Sequence, residues 1–121
     1  MERNTLRSLL ALQMTPNLGA VTLKNLIAYC GSPEAVVQEK TEHLSRIPGI
    51  GEKTIKGLKQ VSQDQVNQEL DFIDKQGIQP LYFLEKDYPE RLRDLNDAPP
   101  LLFYKGQPVL NHPHVVGVVG T

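Results

Sequence analysis

Two stretches of this chain carry glycine, lysine and threonine at a spacing suited to holding a phosphate. The second runs Ile47-Pro48-Gly49-Ile50-Gly51-Glu52-Lys53-Thr54-Ile55-Lys56-Gly57-Leu58. The first runs Thr15-Pro16-Asn17-Leu18-Gly19-Ala20-Val21-Thr22-Leu23-Lys24-Asn25-Leu26. Aligned, Pro, Gly, Thr, Lys and Leu recur at matching places, and Asn17 stands where Gly49 stands. Asn is the non-glycine residue that best tolerates a left-handed backbone. The pattern predicts a tight turn running directly into a helix, and such a turn presents backbone N–H groups to a phosphate. The candidate contacts are the amides of Gly49, Ile50 and Gly51 with the side chains of Lys53, Thr54 and Lys56. In the first copy Ala20 and Val21 replace Glu52 and Lys53, so that copy reads as structural.

Other chemistry is poorly supported. Cys30 is the only cysteine, which excludes an intrachain disulfide and a thiolate metal cluster. It lies on an apolar helical face and reads as a small hydrophobe. His112 and His114 flank Pro113 with no third ligand nearby, so no metal or other cofactor is expected. Asp71, Asp74, Asp87 and Glu90 are scattered on polar faces, and no nucleophile–base pair emerges, so no catalytic residue is nominated. Val119-Gly120-Thr121 has the form of a strand end opening a phosphate-binding loop, with Gly120 and Thr121 as its start.

The net charge of −1 argues against a strong nucleic-acid binder, but its distribution is uneven. Residues 1–60 hold eight Lys or Arg against five Asp or Glu, whereas residues 61–121 hold five against nine. Strong non-specific binders make roughly 6–10 phosphate contacts, so weak DNA binding is the expectation. No Trp is present to stack on bases. No apolar run approaches the ~20 residues that span a bilayer, and Met1-Glu2-Arg3-Asn4 lacks the build of a signal peptide. A reducing cytoplasm and no membrane partner are expected.

The elements that must position the repeats follow from periodicity. Leu6, Leu9, Leu10 and Met14 predict a helix over 4–14 with Asn4 or Thr5 as its cap. Leu23, Leu26, Ile27 and Cys30 mark a second helix, stopped by Gly31. Ser32-Pro33-Glu34 opens a short helix over 33–39, and Thr41 caps another ending at Leu44. Ile55, Leu58 and Val61 belong to the helix after the second turn. Ser62 and Gln65 form a capping box for a helix that buries Val66, Leu70 and Ile73 and ends at Gly77. Beyond Gly77 the pattern changes. Residues 78–83 read as a strand with Pro80 at an edge or start, 87–92 as a helical turn or loop, and Ala98-Pro99-Pro100 as a rigid connector. Leu101 to Tyr104 form a second strand. Val115 to Val119 form a third, whose Val content suggests a parallel sheet buried on both faces.

Three segments form an ordered set: Tyr88-Pro89-Glu90-Arg91-Leu92, then Asp97-Ala98-Pro99-Pro100-Leu101-Leu102-Phe103-Tyr104-Lys105-Gly106, then Val116-Gly117-Val118-Val119-Gly120-Thr121. This set resembles the N-terminal part of the bacterial DNA-processing DprA (Smf) family, specifically over 88–121 and loosely before. The resemblance implies an α+β chain. Residues 1–76 would be an all-helical, tandem helix-hairpin-helix (SAM-like) domain, and residues 77–121 the first strands of a truncated Rossmann-like α/β domain. It also implies a cytoplasmic, non-enzymatic protein of natural transformation that binds single-stranded DNA and helps load a RecA-type recombinase. The main DNA surface would begin at a Gly-Thr-Arg loop, of which this sequence shows Gly120 and Thr121, and a homodimer would form through later portions. Residues 78–121 are expected to pack on the helices or to pair with another molecule. Two rival readings stand beside the DNA-binding one. The first is a protein-interaction module with structural hairpins, favoured by the acidic second half. The second is a nucleotide-using enzyme opened by Gly120.

Overall fold

The computed structural model describes residues 1–105. Helix α1 (Arg3–Gln13) is the innermost element, with Leu6, Leu9, Leu10, Ala11 and Leu12 buried. It does not start at Asn4 or Thr5. Glu2 is its extended N-cap, with no side-chain cap, and the Leu6 N–H donates to the Glu2 carbonyl at 3.1 Å. Burying Leu6 requires the first turn to form earlier than a polar cap at Asn4 or Thr5 allows. At the far end, the buried Thr15 hydroxyl donates to the Ala11 carbonyl at 3.0 Å and satisfies one open helix-end acceptor.

Helix α2 (Ala20–Cys30) ends on Gly31, which takes a left-handed conformation with φ 100°. Helix α3 (Pro33–Gln38) starts as expected, with the Ser32 hydroxyl accepting the Ala35 N–H at 3.1 Å. In α4 (Thr41–Leu44) the N-cap is Lys40 rather than Thr41, because the His43 and Leu44 N–H groups both reach the Lys40 carbonyl. Helix α5 (Glu52–Gln60) follows the second turn. Helix α6 (Gln63–Gln76) is capped by Ser62 and closed by Gly77 at φ 63°. Helices α3 and α6 both pack on α1.

Strands β1 (Gln79–Tyr82) and β2 (Leu101–Tyr104) pair antiparallel, Leu81 opposite Leu102. Tyr82 and Leu101 join the same apolar cluster as Leu9, Leu12 and Leu26, so the two described strands pack on the helices. Burial pushes the Tyr82 phenol up to about 12, with the charge of Glu34 adding to the effect, so the ring enters the core neutral. The parallel strand expected at 115–119 lies outside the described residues.

Two prolines shape this pair. The Phe83 N–H donates to the Pro100 carbonyl at 2.9 Å. By the alternation of antiparallel ladders, Pro80 opposite Phe103 then falls at a non-hydrogen-bonded pair, where its missing N–H faces outward. The next outward donor on β1, the Tyr82 N–H, is taken by the Glu85 carboxylate at 2.9 Å. The Met1 ammonium lies 3.6 Å from the same carboxylate.

Pro100 has no N–H to return to the Phe83 carbonyl, and the Arg93 guanidinium supplies the donor instead, Nε to O at 3.0 Å. Arg93, at the end of helix α7 (Glu90–Arg93), also donates to the carbonyls of Glu85 at 2.5 Å and Tyr88 at 3.3 Å. The fully buried Tyr88 donates its hydroxyl to the Pro99 carbonyl at 2.6 Å. Arg93 and Tyr88 thus hold the whole connection between the strands by its backbone.

Two substitutions test these contacts. A Cβ at Gly57 would lie 3.2 Å from the Thr15 methyl and 3.3 Å from both the Pro16 ring and its carbonyl. Gly57→Leu is therefore expected to cost about 1–3 kcal/mol in urea unfolding, as overpacking does. Arg93→Ala removes the side-chain donor to the Phe83 carbonyl and one donor each from the Glu85 and Tyr88 carbonyls, and is expected to cost about 1–2 kcal/mol, with raised amide exchange confined to 83–100.

Candidate nucleic-acid interface

The two repeats share a backbone as well as letters. Asn17 (φ 64°) and Gly49 (φ 85°) both sit in the left-handed region, Asn17 being the non-glycine residue there among those described. Two residues later, Gly19 (φ −80°, ψ 169°) and Gly51 (φ −98°, ψ 172°) are extended N-caps, and a helix begins at the next residue. Neither glycine can cap with a side chain, whereas α3 and α6 are each capped by a serine. The hairpin helices α2 and α5 therefore begin with open N–H groups.

At the second turn most of the nominated groups are brought together. Gly49 and Gly51 are exposed, and among the described residues their N–H groups have no hydrogen-bond acceptor. Ile50 behaves otherwise: its side chain is buried and its N–H donates to the Ile47 carbonyl at 3.2 Å. It closes the turn and is not open to a ligand. Lys53 and Lys56 are exposed on the first turns of α5 with no ion pair among the described residues, and Thr54 between them is half-buried. Sequence reasoning passed over Arg46, two residues before Pro48. It too is exposed and has no ion pair among the described residues, so the stretch 46–56 carries three such cations, with Glu52 as the carboxylate in the first turn of α5. Lys59 is engaged elsewhere: its ammonium donates to the Glu39 carbonyl at 2.8 Å and ties α5 to the α3–α4 link. There the Glu39 carboxylate accepts the Lys40 N–H and, to lesser effect, meets His43 Nδ1 at 2.7 Å, and these contacts hold it below the usual carboxylate range.

The first turn differs through its neighbours. Lys24, the counterpart of Lys56, points its ammonium at the carbonyls of Leu95 (3.4 Å) and Asn96 (3.2 Å) and lies 5.5 Å from the centre of the Phe83 ring. The inter-strand connection thus docks on α2 through this lysine. Gly57 of α5 abuts the first turn at Thr15 and Pro16, which sets the two hairpins side by side. Gly120 and Thr121 lie outside the described residues, as do His112 and His114. Among the described residues no group of three His, Cys, Asp or Glu is placed to hold a metal ion, and no helix is long and apolar enough to cross a membrane.

Residues 9–64, spanning both hairpins, match the family model of a SAM-like helix-hairpin-helix tandem. Residues 79–121 match that of DNA recombination-mediator protein A. Together, in this order, the matches support an N-terminal, DprA-like stretch of chain: a helical hairpin tandem followed by the start of an α/β region. Neither a curated protein nor a solved structure matches the chain.

The shared backbone yields a substitution test. Gly49→Asn reproduces the residue of the first copy and is expected to stay within about 0.5 kcal/mol of the parent. Gly49→Val forces a branched side chain into the left-handed region and is expected to lose about 1–2 kcal/mol or more. Thermal and urea unfolding of the two variants check the pair.

Proposed function

We propose that the second hairpin is a sequence-independent DNA-backbone contact in a protein of DNA recombination. The carrying observation is the N-terminus of α5, open at Gly49 and Gly51 and accompanied in sequence by the exposed cations Arg46, Lys53 and Lys56, which have no ion pair among the described residues. Open amides on a positive helix end suit a phosphate oxygen. Lysines without carboxylate partners add charge without having to break an ion pair first. Backbone amides and lysine ammoniums suit phosphate oxygens, so sequence-independent contact with the backbone is the fitting mode. The two family matches suggest the same general role, DNA binding in recombination.

The finer reading follows the DprA resemblance. In it the strand bound is single, and the chain acts by binding and not by catalysis. It works in the cytoplasm during natural transformation and hands the strand to a RecA-type recombinase, with a homodimer formed through other portions. Within that scheme the described region gives a supporting contact. About three cations correspond to weak non-specific affinity, near the 10⁻⁴ M end of the usual range. The first hairpin serves as scaffold, since its lysine already binds protein carbonyls.

Titration of labelled single- and double-stranded oligonucleotides at several salt concentrations tests the proposal. Each lysine that touches a single strand contributes about 0.7 to the slope of log K against log salt. Lys53→Ala/Lys56→Ala is expected to weaken binding and flatten that slope by about 1.4, while Lys24→Ala leaves it nearly unchanged. An unchanged slope in the double variant would overturn the assignment of the site.

A further inference from the structure

We propose a second binding site, unconnected with the DNA contact: a cleft for one apolar side chain of an acidic peptide segment, between α2 and the inter-strand connection. The cleft has a volume of about 190 Å³, and its lining includes Val21, Lys24, Phe83, Leu84, Arg93 and Leu95. Small-molecule sites usually enclose roughly 300–1,000 Å³, so this one suits a single anchoring side chain and not a cofactor.

Its rim is apolar and open. Leu84 is 63% exposed, Leu95 52% and Val21 47%, and these three surround one depression. Between them stand two cations and no carboxylate. Among the described residues neither Lys24 nor Arg93 has an ion-pair partner; both donate to neutral carbonyls. An ammonium has three donors and a guanidinium five. Lys24 uses two of its donors on the Leu95 and Asn96 carbonyls, and the donors of Arg93's Nη1 are not used by the carbonyls it binds. Positive charge held in place by neutral acceptors is pre-positioned and not cancelled, so a carboxylate arriving beside an apolar anchor meets it at little ordering cost.

Charge and lining together favour peptide over nucleic acid. Bases bind single-strand sites by stacking on aromatic faces. Here the rim is aliphatic, and one face of Phe83 is already covered by Lys24. An aliphatic side chain such as leucine, flanked by aspartates or glutamates, fits both the rim and the cations.

The experiment uses the whole chain and a labelled six-residue peptide in which four aspartates flank two leucines. Its controls are a serine-for-leucine version and a lysine-for-aspartate version. Fluorescence polarisation should show saturable binding of the first peptide and neither control. Leu84→Ser and Lys24→Gln should each weaken it about tenfold, the loss expected on removing an anchor. Leu84 is well exposed, so its variant keeps the fold, which circular dichroism verifies. Lys53→Ala/Lys56→Ala should bind the peptide like the parent, which separates this site from the DNA contact. Absence of binding at millimolar peptide, equal binding of the lysine version, or indifference to Leu84→Ser would overturn the proposal. Competition by a thymidine oligonucleotide at concentrations that leave Lys53→Ala/Lys56→Ala uncompeted would also overturn it, by showing that the peptide signal came from the DNA site.

Discussion

The architecture depends on enclosing helix α1. Six of its residues are buried, five of them apolar, and Leu9 and Leu12 are wholly so. A helix apolar over most of its circumference must be covered on several sides. Helices α3 and α6 supply part of that cover, and the cluster closes with Tyr82 and Leu101 from the strands. The change of composition at Gly77 is therefore not a break in packing: helices and strands share one core. Each side chain added to the cover contributes about 1.5–3 kcal/mol when fully buried, so the short elements are held by this shared core more than by their own propensities.

The duplicated hairpin shows how identical local chemistry diverges under different neighbours. Both turns pass through a left-handed residue and an extended glycine, and both helices start without a side-chain cap. Lys56 nevertheless remains in solvent, while its counterpart Lys24 binds the carbonyls of Leu95 and Asn96. The close approach of Gly57 to Thr15 and Pro16 makes this asymmetry possible. It packs one hairpin against the other, with Pro16, Asn17 and Gly19 of the first turn and Pro48, Gly49 and Gly51 of the second all exposed.

Features set by near neighbours in the chain were legible in the sequence. Ser32 and Ser62 as caps, Gly31 and Gly77 as helix ends, and Asn17 as a stand-in for glycine all depend on contacts within a few residues. The failures are of two kinds. At Glu2 and Lys40 the helix starts where burial of Leu6 and Leu44 requires it, which overrides the better capping side chains Asn4 and Thr41. Ile50, nominated for its amide, uses that amide to close its own turn. The other missed features are non-local. That Arg93 replaces the donor Pro100 lacks, and that Tyr88 reaches Pro99, can be seen only once antiparallel pairing brings Phe83 against Pro100. Motif residues around Tyr88 that signalled a family thus turn out to hold a loop by its backbone.

Strand β1 makes the described sheet one-sided in a way that bears on assembly. Pro80 offers no outward donor, the next donor is held by Glu85, and the chain's own amino terminus sits against that carboxylate. Edges with exposed hydrogen-bonding groups are templates for stray pairing. Here one margin is sealed, while Leu101 and Phe103 on β2 keep their outward groups without backbone partners among the described residues. The sheet consequently has a polarity of growth: an added strand can join at β2 and not at β1. Two copies of the chain meeting by their β1 margins would find no ladder to share, which guards a short, newly formed pair against propagating into a fibre from that side.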